Sequence, residues 1–368
     1  MTLTWKRFQR NGFLRAIRCN PPLPDEPPLP DESPLTAEIT LDEVARRSGV
    51  SRATASRALN DKPGVRPEVR ERVQTIADAI GYRPHRGAKN LAGGRSSLIG
   101  LVVGAPDLVD EPYSQALLQA IAEAADRHDE GLMLIMDSKQ PSQRVRNLLL
   151  DGQVDGVIVS AVTAGEHWIE GLLDARMPTV LLGGHPRRRD VPVIDTEAEE
   201  ATAALVDHLV GLGARRIAYL AGAAQRVDAN SRVDGYRIGL RRGGLEVDEG
   251  LVFQGDFWRD SARALADDLL AAKPDAILAG NDLMAFGVLD RCLERGIAVP
   301  DDLLVAGFDG VESAYQPYDV TTMRQPFEAL ADRAVGTLVA AINGQAVPME
   351  QLLDPTLQVR STTVRPRR

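Results

Sequence analysis

The stretch Ser51-Arg52-Ala53-Thr54-Ala55-Ser56-Arg57 places hydrogen-bonding side chains close together within one short segment. Arginine can donate two parallel bonds to guanine O6 and N7, and serine and threonine hydroxyls can anchor phosphates. That chemistry makes Arg52 the candidate base reader. A second set lies far downstream. Asp309 follows the apolar run LLVAGF and precedes Gly310. A carboxylate there can accept two hydroxyl hydrogen bonds from a sugar or pair with a cationic group. Phe257, in GDF, and Tyr113, in EPY, can present aromatic faces to an apolar ligand surface.

Each set needs elements to position it. Thr40, with Glu43 three residues on, has the spacing of a capping box, and Ile39 with Val44 can form the flanking hydrophobic staple. Ser48-Gly49-Val50 interrupts the helical pattern, and Ser51 can cap a second helix running to about Asn60. Two short helices joined by a turn containing glycine form the helix-turn-helix, whose second helix enters the major groove. A third helix begins at Pro67, carries Val69, Val73, Ile76, Ala77 and Ile80 on one face, and ends at Gly81. Ala55, Ala58 and Leu59 are small or apolar enough to face the other helices. Taken alone, the second helix is equally well read as a solvated amphipathic helix.

The wider run resembles the LacI/GalR family of transcription regulators. The family pattern appears as Thr40 to Val44, Ala45, Gly49-Val50-Ser51, Thr54, Ser56-Arg57, Leu59-Asn60, Gly81-Tyr82-Arg83-Pro84 and Leu91-Ala92, with family-like segments continuing to about Gln325. Three positions depart from it: Ala55 stands where valine is usual, His85 replaces an asparagine, and Gly87 lies within the hinge. Glycine in a helix interior is disfavoured by roughly 1 kcal/mol, so this hinge is expected to be loose when free. The resemblance implies a hinge that folds on operator DNA and inserts Leu91 into the minor groove. The DNA-binding set is then Thr40, Ser51, Arg52, Ala53, Thr54, Ala55, Ser56, Arg57, Asn60, Tyr82, Arg86, Lys89, Asn90 and Leu91.

Charge follows the same division. The chain carries a formal net charge of −9. Residues 39–97 hold twelve Lys/Arg against six Asp/Glu, and residues 98–368 hold a net −15. Positive charge therefore sits where phosphates must be met. The two cysteines, Cys19 and Cys292, are far apart and fit a reducing cytoplasm better than a disulfide framework. No apolar run approaches the length of a membrane helix, and residues 1–18 lack the apolar core of a secretory signal. Residues 20–34 contain a near-repeat of PPLPDE, which favours extended polyproline conformation and cannot bury a core. Because the family's DNA domain normally opens the chain, translation is expected to begin downstream of Met1.

From residue 98 short apolar strands alternate with amphipathic helices. Strands are expected at 98–104, 132–136, 157–160, 179–183, 217–221, 252–255, 276–279 and 304–307, with helices at 113–128, 197–212 and 261–272 among those between. Two such blocks make two parallel-sheet subdomains, with ligands at the carboxyl ends of the strands. No GxGxxG after a strand, GxxxxGKS/T loop or GxSxG turn occurs, and the five histidines show no metal-ligand spacing. No catalytic residue, metal or cofactor is expected.

The resemblance extends to the cleft. Asp309 matches the family's V-x-G-F/Y-D motif, and Asn281-Asp282 resembles its N-D-x-M-A-x-G motif, where one of the pair caps the following helix. The loop before Gly235-Tyr236 supplies Arg226, Asp228 and Asn230, where family members place cleft arginines or hydroxyl binders; Arg232 reads as a structural partner. The effector set is Tyr113, Arg226, Asp228, Asn230, Phe257, Asn281, Asp309 and Gln325.

The expected fold is a small all-α helix-turn-helix DNA-binding domain joined to an α/β periplasmic-binding-protein-like sensor of two parallel-sheet subdomains. The expected domains are a disordered Pro-rich extension (1–38), the helix-turn-helix (39–84), a hinge (85–97) and an effector-binding and dimerisation domain (98–368), without a helical tetramerisation tail. Within the last, the N-subdomain takes about 98–195 and 325–345, and the C-subdomain about 196–322. The expected function is a cytoplasmic transcriptional repressor that binds double-stranded operator DNA as a homodimer under control of a sugar-like effector. A sugar-binding protein without DNA activity is the alternative.

Overall fold

The computed structural model describes residues 39–60, 62–82, 95–103, 111–136, 143–160, 168–183, 190–311 and 318–364. The chain divides into two compact units, residues 1–85 and 86–368.

The first unit is a three-helix cluster of α1 (Leu41–Ser48), α2 (Arg52–Leu59) and α3 (Pro67–Ile80). Gly49 ends α1 in the left-handed region at φ 64°, where a side chain would be strained, and its amide returns to Ala45 and Arg46. The chain can then turn within three residues and start α2. Val44, Ala45, Ala55, Ala58, Val73 and Ala77 form the buried core, with Val50, Leu59, Ile80 and Tyr82 packed against it. Mostly small core side chains let the three short helices approach closely.

The second unit holds two sheets, each six-stranded among the described residues. The first is built from β1 (Leu98–Val103), β2 (Gly131–Met136), β3 (Gly156–Ser160), β4 (Thr179–Leu182) and β5 (Val193–Thr196), interleaved with α4 (Pro112–Arg127), α5 (Gln143–Leu150) and α6 (Trp168–Asp174). The second comprises β6 (Ile217–Ala221), β7 (Val252–Gln254), β8 (Ala276–Ala279), β9 (Leu304–Asp309) and β10 (Thr321–Arg324), with α7 (Ala198–Gly211), α8 (Val227–Arg242), α9 (Arg259–Ala271) and α10 (Asp282–Arg295). After α11 (Phe327–Ile342), β11 (Glu350–Leu353) and β12 (Thr356–Gln358) complete the two sheets.

The strand orders are β11-β5-β4-β3-β1-β2 and β12-β10-β9-β8-β6-β7. All pairings are parallel except β10 with β12. Parallel strands covered by helices on both faces should be apolar throughout, and β3, β4, β6 and β8 are buried at every residue. Helices α4 and α11 share a core on one face of the first sheet, with α5 and α6 on the other. The second sheet is covered by α7 with α8 and by α9 with α10.

The main chain passes between the lobes three times: from β5 to α7, from β10 to α11, and from β11 to β12. Each passage spans one or two residues, at Glu197, Gln325-Pro326 and Asp354-Pro355. One sequence expectation is corrected in this unit. Residues 227–242 form α8, so Asp228 and Asn230 stand in its first turn and not in a loop.

Candidate nucleic-acid interface and ligand cleft

In α2, Ser51 takes the N-cap position, and its hydroxyl accepts the Thr54 amide at 3.1 Å and lies 2.9 Å from the Thr54 hydroxyl. The bond satisfies an amide that the first helical turn leaves free. It fixes a helix start at which Ser51, Arg52 and Ala53 are all exposed. Arg52 lies 3.6 Å from Asp42 of α1, both side chains largely exposed. Such an exposed pair contributes little and holds Arg52 only weakly. Arg57 is exposed one turn on, Thr54 and Ser56 are partly so, and the Asn60 amide donates to the Ser56 carbonyl at 2.8 Å. Tyr82 packs half-buried against the three-helix core.

Two expectations are corrected. Thr40 has extended backbone but makes no side-chain cap; Glu43 turns instead to Arg46, at 2.8 and 2.5 Å, and to Arg47 at 2.7 Å. Hydrogen bonds to two guanidiniums, which hold its carboxyl down at about 2, outcompete the neutral cap. Ala55, counted above with the DNA-facing residues, is fully buried. Its methyl packs the core and has no surface to offer DNA. Arg86, Lys89, Asn90 and Leu91 lie outside the described residues.

In the second unit, a cleft opens at the carboxyl ends of the strands. Val103 and Ser160 close β1 and β3, Asp309 closes β9, and Asn281 follows β8. Tyr113 enters from the start of α4, where its ring meets Phe327 edge-on at 5.4 Å. The opposite lobe contributes Arg226, Asp228, Arg232 and Phe257. Leu101, Leu117, Ile121 and Leu134 make an apolar wall.

The polar groups of the cleft are tied into a network. Arg226 grips Asp228 through two bonds of 2.9 Å. Burial by itself would raise the Asp228 carboxyl, but this pairing outweighs it and holds the group at about 2. Arg232, 4 % exposed, lies 3.4 Å from Asp309 and 3.8 Å from Asp228, and donates to the Gly280 carbonyl. Its guanidinium stacks 4.0 Å from the Phe308 ring centroid and 5.7 Å from that of Phe257. Gln325 donates to Asp309 at 2.7 Å. Burial pushes Asp309 up to about 6 against the pull of Arg232 and Gln325. Asp309 and Phe257 both have positive φ, 112° and 76°, a costly conformation for residues other than glycine. The network over-determines Asp309 and so can hold it there.

The Asn281-Asp282 alternatives resolve clearly. Asn281 caps α10 by accepting the Met284 amide at 2.9 Å, and its amide donates to the Phe257 carbonyl at 3.1 Å and to Glu111 at 3.4 Å. Asp282 accepts the Gly310 and Val311 amides at 2.9 and 3.1 Å and the Thr322 hydroxyl at 2.7 Å, bracing the turn after Asp309.

Seven of the eight expected effector residues therefore line the cleft or, like Gln325, bond directly to its floor. Asn230 does not. It is exposed and donates to the carbonyls of Ala224 and Arg226 at 3.3 and 3.1 Å. On a helix, residues 228 and 232 share a face and residue 230 points away from it. Arg232 is more than the structural partner expected, because it lines the cleft itself. Glu111 escaped sequence reading altogether. It is 6 % exposed and faces the cleft immediately before Pro112, which opens α4. Its position just ahead of a helix that returns from β1 was the available signal.

Residues 40–85 match the bacterial regulatory proteins of the lacI family, and residues 206–363 match the periplasmic binding protein-like domain. Catabolite control protein A of Priestia megaterium is 30% identical over 84% of this chain and 94% of its own. The lac repressor dimer bound to operator and the anti-inducer ONPF superposes with a TM-score of 0.79 at 30% identity, covering 89% of this chain and 100% of that one. The transcriptional regulator CelR in complex with cellobiose gives 0.66 at 30% identity, over 88% and 99%. With both segments matched in order and the similarity running through nearly the whole described chain, the protein belongs to the lacI family of DNA-binding transcriptional regulators.

Proposed function

We propose that this regulator is a repressor that binds a near-palindromic operator as a homodimer in the cytoplasm, and that a sugar or sugar derivative in the cleft controls it. The observation that carries the reading is the preorganised network of Arg226 with Asp228 and Arg232 with Asp309 at the strand ends of one lobe, facing Tyr113 and Glu111 of the other. Fixed donors and acceptors beside aromatic faces suit a polyhydroxyl ligand. A ligand touching both lobes binds their closed arrangement better than the open one, and only such differential affinity shifts a conformational equilibrium. The likeness to a lac repressor dimer on operator and to CelR with cellobiose supports the same reading. Symmetric dimers place two recognition helices in successive major grooves, which makes the site two-fold symmetric.

Selection of duplexes from a randomised library by the full-length protein, at about physiological salt, is the direct test. The expected outcome is a two-fold symmetric motif whose binding changes when the cognate sugar is added. Enrichment of an asymmetric motif would sink the homodimer, and binding indifferent to every sugar would sink the effector assignment.

A further inference from the structure

One carboxyl group of the cleft has no cationic partner among the described residues. Among its described residues, Glu111, Asp228 and Asp309 supply three carboxyl groups, and Arg226 and Arg232 supply two guanidiniums. Both guanidiniums are engaged. Arg226 is committed to Asp228 through two bonds, and Arg232 lies against Asp309. Glu111 is left over. Among the described residues no cationic side chain is hydrogen-bonded to it, and the one hydrogen bond of its carboxyl group is the long contact from the Asn281 amide at 3.4 Å. The residue is 6 % exposed, so an ionised carboxylate there would be neither paired nor well solvated.

We infer that the effector carries a protonated amine, as an amino sugar does, and that the Glu111 carboxylate receives it. The inference rests on the cleft being the effector site and narrows the ligand class within that reading. An ammonium group offers three donors and no acceptor, the complement of a carboxylate that lacks donors. The hydroxyls of the same molecule are left for Asp309, Asp228 and Asn281. A neutral sugar would fill the same space and leave Glu111 protonated, with no ion pair formed.

Protonation supports this arrangement. Burial, reinforced by the Asp309 carboxylate and only partly offset by Arg226 and Arg232, pushes Glu111 up to about 8. Among the described residues Asp228 adds a smaller push in the same direction, and Tyr113, which lines the same cleft, has its own value raised by burial. That environment favours the protonated carboxyl of Glu111 at neutral pH. Arrival of an ammonium lowers the cost of ionisation, and the proton leaves to solvent. Binding of an amine should release up to one proton, and binding of a neutral sugar should release none.

The test uses the full-length protein and matched pairs: glucosamine against glucose, galactosamine against galactose, and mannosamine against mannose, with cellobiose added. Calorimetry at about pH 6.5, where such amines remain protonated, is run in two buffers of different ionisation enthalpy. We expect at least one amine to bind roughly 10- to 100-fold more tightly than its neutral partner, the range a charge-assisted hydrogen bond supplies. That binding should release a proton. In Glu111→Gln the preference and the proton release should both vanish. A neutral sugar bound as tightly as its amine would overturn the amine while leaving the cleft as a sugar site. An amine bound without proton release, or with its preference intact in Glu111→Gln, would overturn the role of Glu111. No binding by any of the seven compounds would overturn the amine and count against the sugar reading together, whereas selection of a DNA motif tests the regulator independently.

Discussion

Arg232 shows how a single side chain couples stability to the cleft. Its guanidinium is nearly inaccessible, lies against Asp309 and Asp228, and covers the Phe308 ring. Replacing Arg232 by methionine keeps the apolar contact but strands the Asp309 carboxylate, while Asp228 keeps Arg226, and breaking a buried pair in this way costs about 3–5 kcal/mol. The pH dependence has a definite sign. Burial raises Glu111 to about 8 and Asp309 to about 6, so the native state binds protons more tightly than the unfolded chain at both groups. Their contribution is complete below the unfolded carboxyl values and is lost as pH rises through 6 and 8. Asp228, held at about 2, acts oppositely, and its contribution is lost only as pH falls towards that value. Without Arg232, Asp309 should rise further. Urea unfolding should therefore show Arg232→Met losing most stability at about pH 8 and least at about pH 5; an equal loss at both would disprove the electrostatic account. These couplings were beyond sequence reading. Asp309 was legible from the strand before it, whereas the burial of Glu111 depends on what the opposite lobe places beside it.

The elements were legible wherever burial is complete. Expected strands at 98–104, 179–183 and 276–279 correspond to β1, β4 and β8, since a parallel strand covered on both faces must be continuously apolar. The segments missed are β5 and β10, with the sequences VIDT and TTMR, and the edge strands β11 and β12, with EQLL and TLQ. These short runs mix polar with apolar residues and carry no clear periodic signal, and only the neighbouring strand makes them strands. Helix α8 was hidden because glycine and asparagine weaken its helical preference. Gly235 has a tertiary reason to be there. A Cβ on it would lie 2.1 Å from the Glu199 carbonyl oxygen and 2.9 Å from the Thr202 Cβ. Gly235→Ala should therefore push α8 off α7 despite alanine's better propensity, costing about 1–3 kcal/mol of overpacking. The unfolding midpoint measures it; an unchanged or higher midpoint would show that α7 yields without cost.

At the scale of the molecule, charge separates by task. The segment 39–97 carries a net +6 and everything after it a net −15. Affinity for non-specific duplex should fall by about a thousandfold or more between roughly 50 and 200 mM salt, as expected for six or more phosphate contacts. A shallow slope in a salt titration would mean that the basic segment does not carry the contact. The two-lobed plan was readable from two successive strand–helix blocks, but the last exchange of chain, in which β11 joins one sheet and β12 the other, was not. That exchange has a mechanical consequence. Two bodies tied by a single strap can twist, slide and swing. Tied at Glu197, at Gln325-Pro326 and at Asp354-Pro355, they keep little freedom except to fold about the line of the straps. Work done by a ligand on the lobes is then delivered as one angular displacement rather than scattered among many, which is what a lever requires and a tether cannot supply.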